Sequence, residues 1–391
     1  MTIPDDVLIV GASVGGLTVA EALRRKGFTG RIRIVGEEPR PPYDRPPLSK
    51  EVLIGRWSAE AVHLRPAGGL DELQVDWLLG HRAERLRLDT RTVVLDRGKA
   101  LSYGALVIAT GLVPCRPAGF ADARTLRTLD DALRLKQDLQ AARRVAVIGA
   151  GVLGCEVAAA CCALGKQVTL IDPGPVPMAL QLGAELGGHV AALHESRGVR
   201  LRTGVGAARL IGADGKTSGV ELTSGEVVEA DLAVLAAGSA PATGWLADSG
   251  LHLDDGVGCD ASLRAADDVY AVGDVARWHD PGTGTTARLE TRTNATEQAL
   301  VVAENILGGD RRYSPIPYFW SDQYDTKIQV HGVIAPQARI RIAEGNPREG
   351  RFLALAEGDD GVTAAIGWNH PRGVRTARRM LRNPLPVGGI R

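Results

Sequence analysis

Residues 7–10, Val7-Leu8-Ile9-Val10, form an unbroken apolar run, the pattern of a strand buried on both faces. Gly11-Ala12-Ser13-Val14-Gly15-Gly16 follows without a spacer, residues 17–25 read as a helix, and a second apolar run at 32–35 ends in Gly36 and Glu37. A strand, a tight glycine turn, a helix and a second strand ending in an acid is the order of a βαβ unit that holds a dinucleotide. Gly11 permits the turn, and the small Ser13, standing where the fingerprint has its middle glycine, lets backbone amides approach a pyrophosphate. Gly15 and Gly16 complete the turn, Gly16 letting the helix pack on the strand, and the helix start offers free N–H groups to phosphate. Glu37, twenty-one residues after Gly16, is placed to accept from a ribose hydroxyl.

The pattern returns in a fuller form. A strand at 145–148 runs into Gly149-Ala150-Gly151-Val152-Leu153-Gly154, a helix follows to 164, and a strand at 168–171 ends in Asp172. A carboxylate there accepts from an adenosine 2′-hydroxyl and repels a 2′-phosphate. Residues 173–184 contain no Arg, Lys or His, which favours NADH over NADPH.

A chain of 391 residues suits two or three domains. Lys+Arg and Asp+Glu balance at 46 each, so no global field favours nucleic acid. No apolar run nears the roughly 20 residues that span a bilayer, and no signal peptide is visible; a cytoplasmic protein is expected. Cys115, Cys155, Cys161, Cys162 and Cys259 have neither C-x-x-C nor metal-ligand spacing and read as reduced thiols, with no metal site.

Prolines hold residues 39–47 in a stiff extended loop, and a helix carrying Lys50 is expected over 48–54. Further strands are expected at 74–79, 91–96, 101–111, 199–202, 218–223, 226–229 and 231–238. A buried strand at 268–272 runs into Gly273-Asp274 before an expected helix start. Residues 327–333, 338–343, 352–356 and 362–367 alternate as an antiparallel sheet should, followed by a helix to about 381.

Several stretches carry a more specific likeness: Tyr43-Asp44-Arg45-Pro46-Pro47-Leu48-Ser49-Lys50, Leu106-Val107-Ile108-Ala109-Thr110-Gly111, Leu126-Arg127-Thr128, Gly273-Asp274, Asn294-Ala295-Thr296-Glu297-Gln298-Ala299 and Phe319-Trp320-Ser321-Asp322-Gln323-Tyr324. In this order they resemble the FAD-dependent ferredoxin reductase branch of the pyridine nucleotide-disulfide oxidoreductases over nearly the whole chain. The resemblance implies an α/β fold with two Rossmann-like dinucleotide-binding domains of the glutathione-reductase type and a C-terminal α+β interface domain. The FAD domain would comprise 1–112 and 238–312, the NAD domain 113–237 and the C-terminal domain 313–391.

The same resemblance implies roles. Lys50 would lie beside flavin N5, with Arg45 lining the FAD site and the Ala83 backbone at adenine. Thr110 and Gly111 end the strand that passes under the flavin. Arg127 would touch FAD, Asp274 the ribityl chain, Arg292 the pyrimidine end, where a contact through its backbone amide would lose nothing and one through its side chain would alter the flavin potential, and Trp320 the ring. Glu156 would lie near the nicotinamide and pair with Lys50, and Gly238 ends the strand that returns to the FAD domain. The implied reaction takes a hydride from NADH and passes single electrons to a [2Fe–2S] ferredoxin that feeds a cytochrome P450 or oxygenase, in a monomer or weak dimer. An NADH oxidase or peroxidase and an apoptosis-inducing-factor-like NADH-responsive protein are the alternatives. No cysteine precedes Cys115, so the dithiol relay of the disulfide reductases is excluded. Departures from the family pattern fall at Gly104, at Ser239-Ala240-Pro241-Ala242-Thr243, which lacks an asparagine, and at Arg292. Arg372, Arg375, Arg378, Arg379 and Arg382 lie within eleven residues free of acids and suggest a docking face for an acidic ferredoxin.

Overall fold

Val7, Leu8 and Ile9 are wholly shielded from solvent because their strand, Asp6–Val10, has parallel partners on both edges, Arg31–Gly36 and Ala105–Ile108. Val75–Leu79 extends the sheet on one side and Val269–Ala271 on the other, all parallel, and Arg264–Ala266 closes the second edge antiparallel. The computed structural model describes residues 3–66, 68–213, 216–280, 284–359 and 361–381. Its α-helices are α1 (Val14–Arg25), α2 (Leu129–Ala141), α3 (Val152–Ala163), α4 (Ala179–Ser196), α5 (Arg292–Ile306) and α6 (Pro371–Ala377). Helices α1 and α5 pack side by side, joining the first turn of the chain to a segment nearly 300 residues later.

A second parallel sheet repeats the plan, in the order Arg200–Thr203, Gln167–Asp172, Arg144–Ile148, Leu232–Leu235. An antiparallel sheet of Ala207–Ala213, Lys216–Leu222 and Val227–Glu229 accompanies it. The chain leaves the first sheet along Leu112–Pro114 and comes back along Ser239–Pro241, and these two short strands pair antiparallel. The final unit is a five-stranded antiparallel sheet ordered Tyr318–Gln323, Thr326–Gly332, Gly361–Trp368, Arg351–Gly358, Arg339–Asn346, against which α6 buries Val374 and Ala377. Among the described residues no helix is long and apolar enough to cross a membrane.

Two expectations are corrected. Residues 48–54 form no α-helix: a single 3-10 turn, Pro46–Ser49, is followed by irregular turns. Its first two residues are prolines, and Lys50 leaves helical geometry at φ −125°, ψ −99°, so the turn cannot propagate. Asp274 does not precede an α-helix. It sits in a one-turn 3-10 segment, Gly273–Val275, followed by Ala276–Asp280, which belongs to a small sheet with Val257–Cys259 and Thr285–Ala287; α5 begins only at Arg292.

Burial holds two imidazoles neutral. His194, on α4, is fully enclosed, and desolvation drops its pKa from 6.5 to about 4. His331, on Thr326–Gly332, falls likewise to about 4 through burial and the nearby Arg378 charge. The unfolded chain protonates both near 6.5 and the folded chain only near 4, so stability is highest above 6.5 and falls as pH drops between these values. For His194 the loss is on the order of 3 kcal/mol. Urea unfolding at pH 7, 6 and 5 is expected to show this decline, with a shallower slope in His194→Gln.

Candidate functional site

The two glycine turns open into one cleft of about 1330 Å³, beyond the usual range for a site holding one small ligand. Ser13 and Gly151, the N-caps of α1 and α3, have extended backbones and make no side-chain cap. Both helices therefore present uncapped first-turn amides, and both starts line the cleft. The glycines one turn further on act from behind. A Cβ on Gly16 would lie 2.0 Å from the Gly11 carbonyl oxygen, and one on Gly154 would lie 1.8 Å from that of Gly149. Only glycine lets either helix start so close to its strand.

The proline-rich loop is fixed by long-range bonds. The Tyr43 hydroxyl donates to Glu38 Oε2 at 2.5 Å and accepts from the Leu129 N–H at 2.9 Å, and burial pushes its phenol well above the ordinary range. Arg45 donates to Glu38 Oε1 at 3.1 Å and to the Ser13 hydroxyl. Arg292, the first residue of α5, reaches back so that its Nε lies 2.6 Å from Asp44 Oδ1.

The end of the 3-10 turn swings Lys50 toward α3. Lys50 Nζ lies 2.7 Å from Glu156 Oε2, and Ser49 Oγ donates to the same oxygen at 2.6 Å. Ser321 Oγ, from the last sheet, donates to Glu156 Oε1 at 3.0 Å. Glu156 is the only charged residue in α3 and is only 5% exposed. Such a carboxylate persists only when paired and hydrogen-bonded, and here both oxygens are satisfied.

Thr128 caps α2 in a reciprocal capping box with Asp131, whose Oδ2 also accepts from the Arg127 N–H at 3.1 Å. This pins Arg127 in the cleft, with Nη2 3.5 Å from Asp274 Oδ2. Burial, then the like charge of Arg45, lowers its pKa. Gln298 supports the Asp274 turn by accepting from the Gly273 N–H at 2.7 Å. At the far end Asp172 accepts from the Ala150 N–H at 2.6 Å and the Gly174 N–H at 2.7 Å. Around it the wall is Pro173, Leu180, Gln181, Gly206, Ala207 and Ala208, with no Lys or Arg. Tyr318 and Trp320 stack at 5.9 Å along the opposite wall.

The cleft wall thus unites Ser13, Gly15, Arg45, Lys50, Gly111, Arg127, Gly149, Gly151, Val152, Leu153, Glu156, Asp172, Gly238, Asp274, Arg292 and Trp320. Gly11, Gly16 and Gly154 stand behind it as packing glycines. Thr110 turns its hydroxyl to the Ala242 carbonyl at 3.0 Å. Glu37 is exposed and Ala83 buried in its own strand, and neither lines the cleft. Sequence reasoning gave no role to Ser49, Ser321, Glu38 or the Asp44–Arg292 pair; adjacency of Ser49 to Lys50 was the only local signal. Two uncapped helix starts, a cluster of guanidiniums and a carboxylate at a strand end fit two dinucleotides.

Residues 5–299 match the family model described as pyridine nucleotide-disulphide oxidoreductase, and residues 318–388 the one described as reductase C-terminal. The chain is 34% identical over 386 residues to rhodocoxin reductase of Rhodococcus erythropolis, covering 97% of this chain and 90% of that protein. It is 32% identical over 401 residues to putidaredoxin reductase of Pseudomonas putida, covering 99% and 94%. Among solved structures, the covalent putidaredoxin reductase–putidaredoxin complex matches with a TM-score of 0.92 at 31% identity, covering 97% of this chain and 93% of that one.

Proposed function

The chain belongs to the pyridine nucleotide-disulphide oxidoreductase family, and on that premise we propose that it is an NADH-dependent ferredoxin reductase serving a cytochrome P450 or oxygenase. The observation that carries this reading is a cleft for two dinucleotides whose described wall contains a buried Lys50–Glu156 pair and no cysteine. A family member without sulfur at its site must release electrons by another route, and the relatives named above are reductases of small electron carriers. FAD and a nicotinamide nucleotide are the cofactors that the family implies; when bound, they supply hydride transfer between their rings and one-electron transfer onward.

The chain's own part is to bind, orient and polarise. The amides at the α1 start, Arg45, Arg127, Asp274 and the α5 start at Arg292 would hold FAD, and those at the α3 start with Asp172 the nicotinamide nucleotide. Lys50 Nζ supplies positive charge where negative charge grows on reduction, and Glu156 keeps that ammonium in place. The lack of cations around Asp172 supports NADH over NADPH. Arg372, Arg375, Arg378 and Arg379 are exposed and make no ion pair among the described residues; Arg382 lies outside them. Arg378 acts on His331, which stacks 4.4 Å from Tyr318 of the cleft wall. The nearness of Arg378 to that wall supports a docking face for an acidic one-electron carrier on this part of the surface. Domain limits of 1–112 with 238–312, 113–237 and 313–391 belong to the same reading, and five free thiols suit a reducing cytoplasm.

Lys50→Ala is expected to slow flavin reduction by NADH by at least about tenfold in anaerobic stopped-flow; an unchanged rate would remove Lys50 from the mechanism. Asp172→Ala should narrow the NADH:NADPH ratio of kcat/KM by about tenfold, the equivalent of 1.4 kcal/mol; an unaltered ratio would mean that another group reads the ribose. Charge reversal at Arg375 and Arg379 should flatten the salt dependence of ferredoxin reduction, and an unchanged salt slope would place docking elsewhere.

A further inference from the structure

Behind Glu156 runs a line of buried polar groups that the ion pair itself does not require. Ser321 Oγ, 3.0 Å from Glu156 Oε1, also lies 3.0 Å from Gln323 Nε2. Gln323 Oε1 lies 3.0 Å from His194 Nε2, and His194 Nδ1 lies 3.0 Å from the Tyr324 hydroxyl. Ser321, Gln323 and His194 are each completely buried.

The chemistry of the partners fixes the direction of every bond. An amide oxygen can only accept, so His194 carries its proton on Nε2 and accepts at Nδ1 from the Tyr324 hydroxyl. An amide nitrogen can only donate, so the Ser321 hydroxyl receives from Gln323 and directs its own proton to Glu156. Four consecutive hydrogen bonds thus donate toward one carboxylate, a sense in which each polarises the next. The desolvation that keeps His194 neutral to about pH 4 preserves this sense across the physiological range. The line is tied to the second glycine turn as well. Gln323 Nε2 lies 3.3 Å from Met178 Sδ, and the Met178 N–H donates to the Ala150 carbonyl at 2.8 Å.

We propose that Ser321, Gln323 and His194 are positioning residues for flavin reduction: they pin Glu156 Oε1 from behind, so that Oε2 alone faces Lys50 and holds its ammonium at the cleft. This rests on the reading of Lys50 and Glu156 given above. It assigns to Ser321 and Gln323 of the C-terminal sheet and to His194 of α4 a part in the hydride step although none of the three lines the cleft.

The test is a double-mutant cycle on the flavin-loaded full chain. Ser321→Ala and Gln323→Leu should each slow flavin reduction by NADH about tenfold, the size of one hydrogen bond to a charged group. The dissociation constant for NADH should change by less than about twofold, and Ser321→Thr should restore the rate. In a Glu156→Gln background neither substitution should slow reduction further. A readout without turnover is imidazole ¹⁵N NMR. His194 should be the Nε2–H tautomer, and its signals should shift in Ser321→Ala and Glu156→Gln. Undiminished losses in the Glu156→Gln background, or a proton on His194 Nδ1, overturn the proposal. If Glu156→Gln slows reduction but Ser321→Ala and Gln323→Leu do not, this inference alone fails. If Lys50→Ala and Glu156→Gln both leave the rate unchanged, the reading of the site fails with it.

Discussion

One buried carboxylate imposes the assembly of this molecule. Helix α3 is otherwise made of Val, Leu, Gly, Ala and Cys, side chains that pack closely and offer Glu156 no local partner. Leaving that charge unpaired would cost several kcal/mol. It is met instead from two directions, by Ser49 and Lys50 at the end of a proline turn and by Ser321 from a strand 165 residues away. The proline turn, α3 and the last sheet must all be in place before the charge is satisfied, and the space left between them is the cleft.

The two glycine turns show how one local plan takes different chemistry. In the second, Gly151 leaves the space beside it open: a Cβ there would meet nothing within 4 Å. In the first, Ser13 stands at the equivalent point, and its hydroxyl receives the Arg45 guanidinium. The departure from glycine is therefore used: it fixes a cation over the start of α1, where the free amides already favour an anion.

Much of this was legible in the sequence because it is written in short-range grammar. Apolar runs, glycine turns and an acid at a strand end located both parallel sheets, and Asp172 stands where the spacing put it. What was not legible depends on partners distant in the chain. The helix expected over 48–54 gave way to a 3-10 turn that stops where Lys50 leaves helical geometry and reaches Glu156 on α3, a partner distant in the chain. Glu38 holds Tyr43 and Arg45, a part that its place beside Glu37 at the strand end did not announce. Asp274 was read before a helix, but the small sheet that intervenes pairs Val257–Cys259 with Ala276–Asp280, a match no local pattern announces. Ser321 looked like one polar position among aromatics until the fold set it against Glu156.

The cysteines carry a consequence of a different kind. Cys155, Cys161 and Cys259 are buried, and desolvation raises their pKa values so far that thiolate is scarce. None lines the cleft. Peroxide, arsenicals and soft metal ions attack thiolates first; the partly exposed Cys115 and Cys162 are open to them, yet neither lines the cleft, so such attack would strike no sulfur on the described wall of the site.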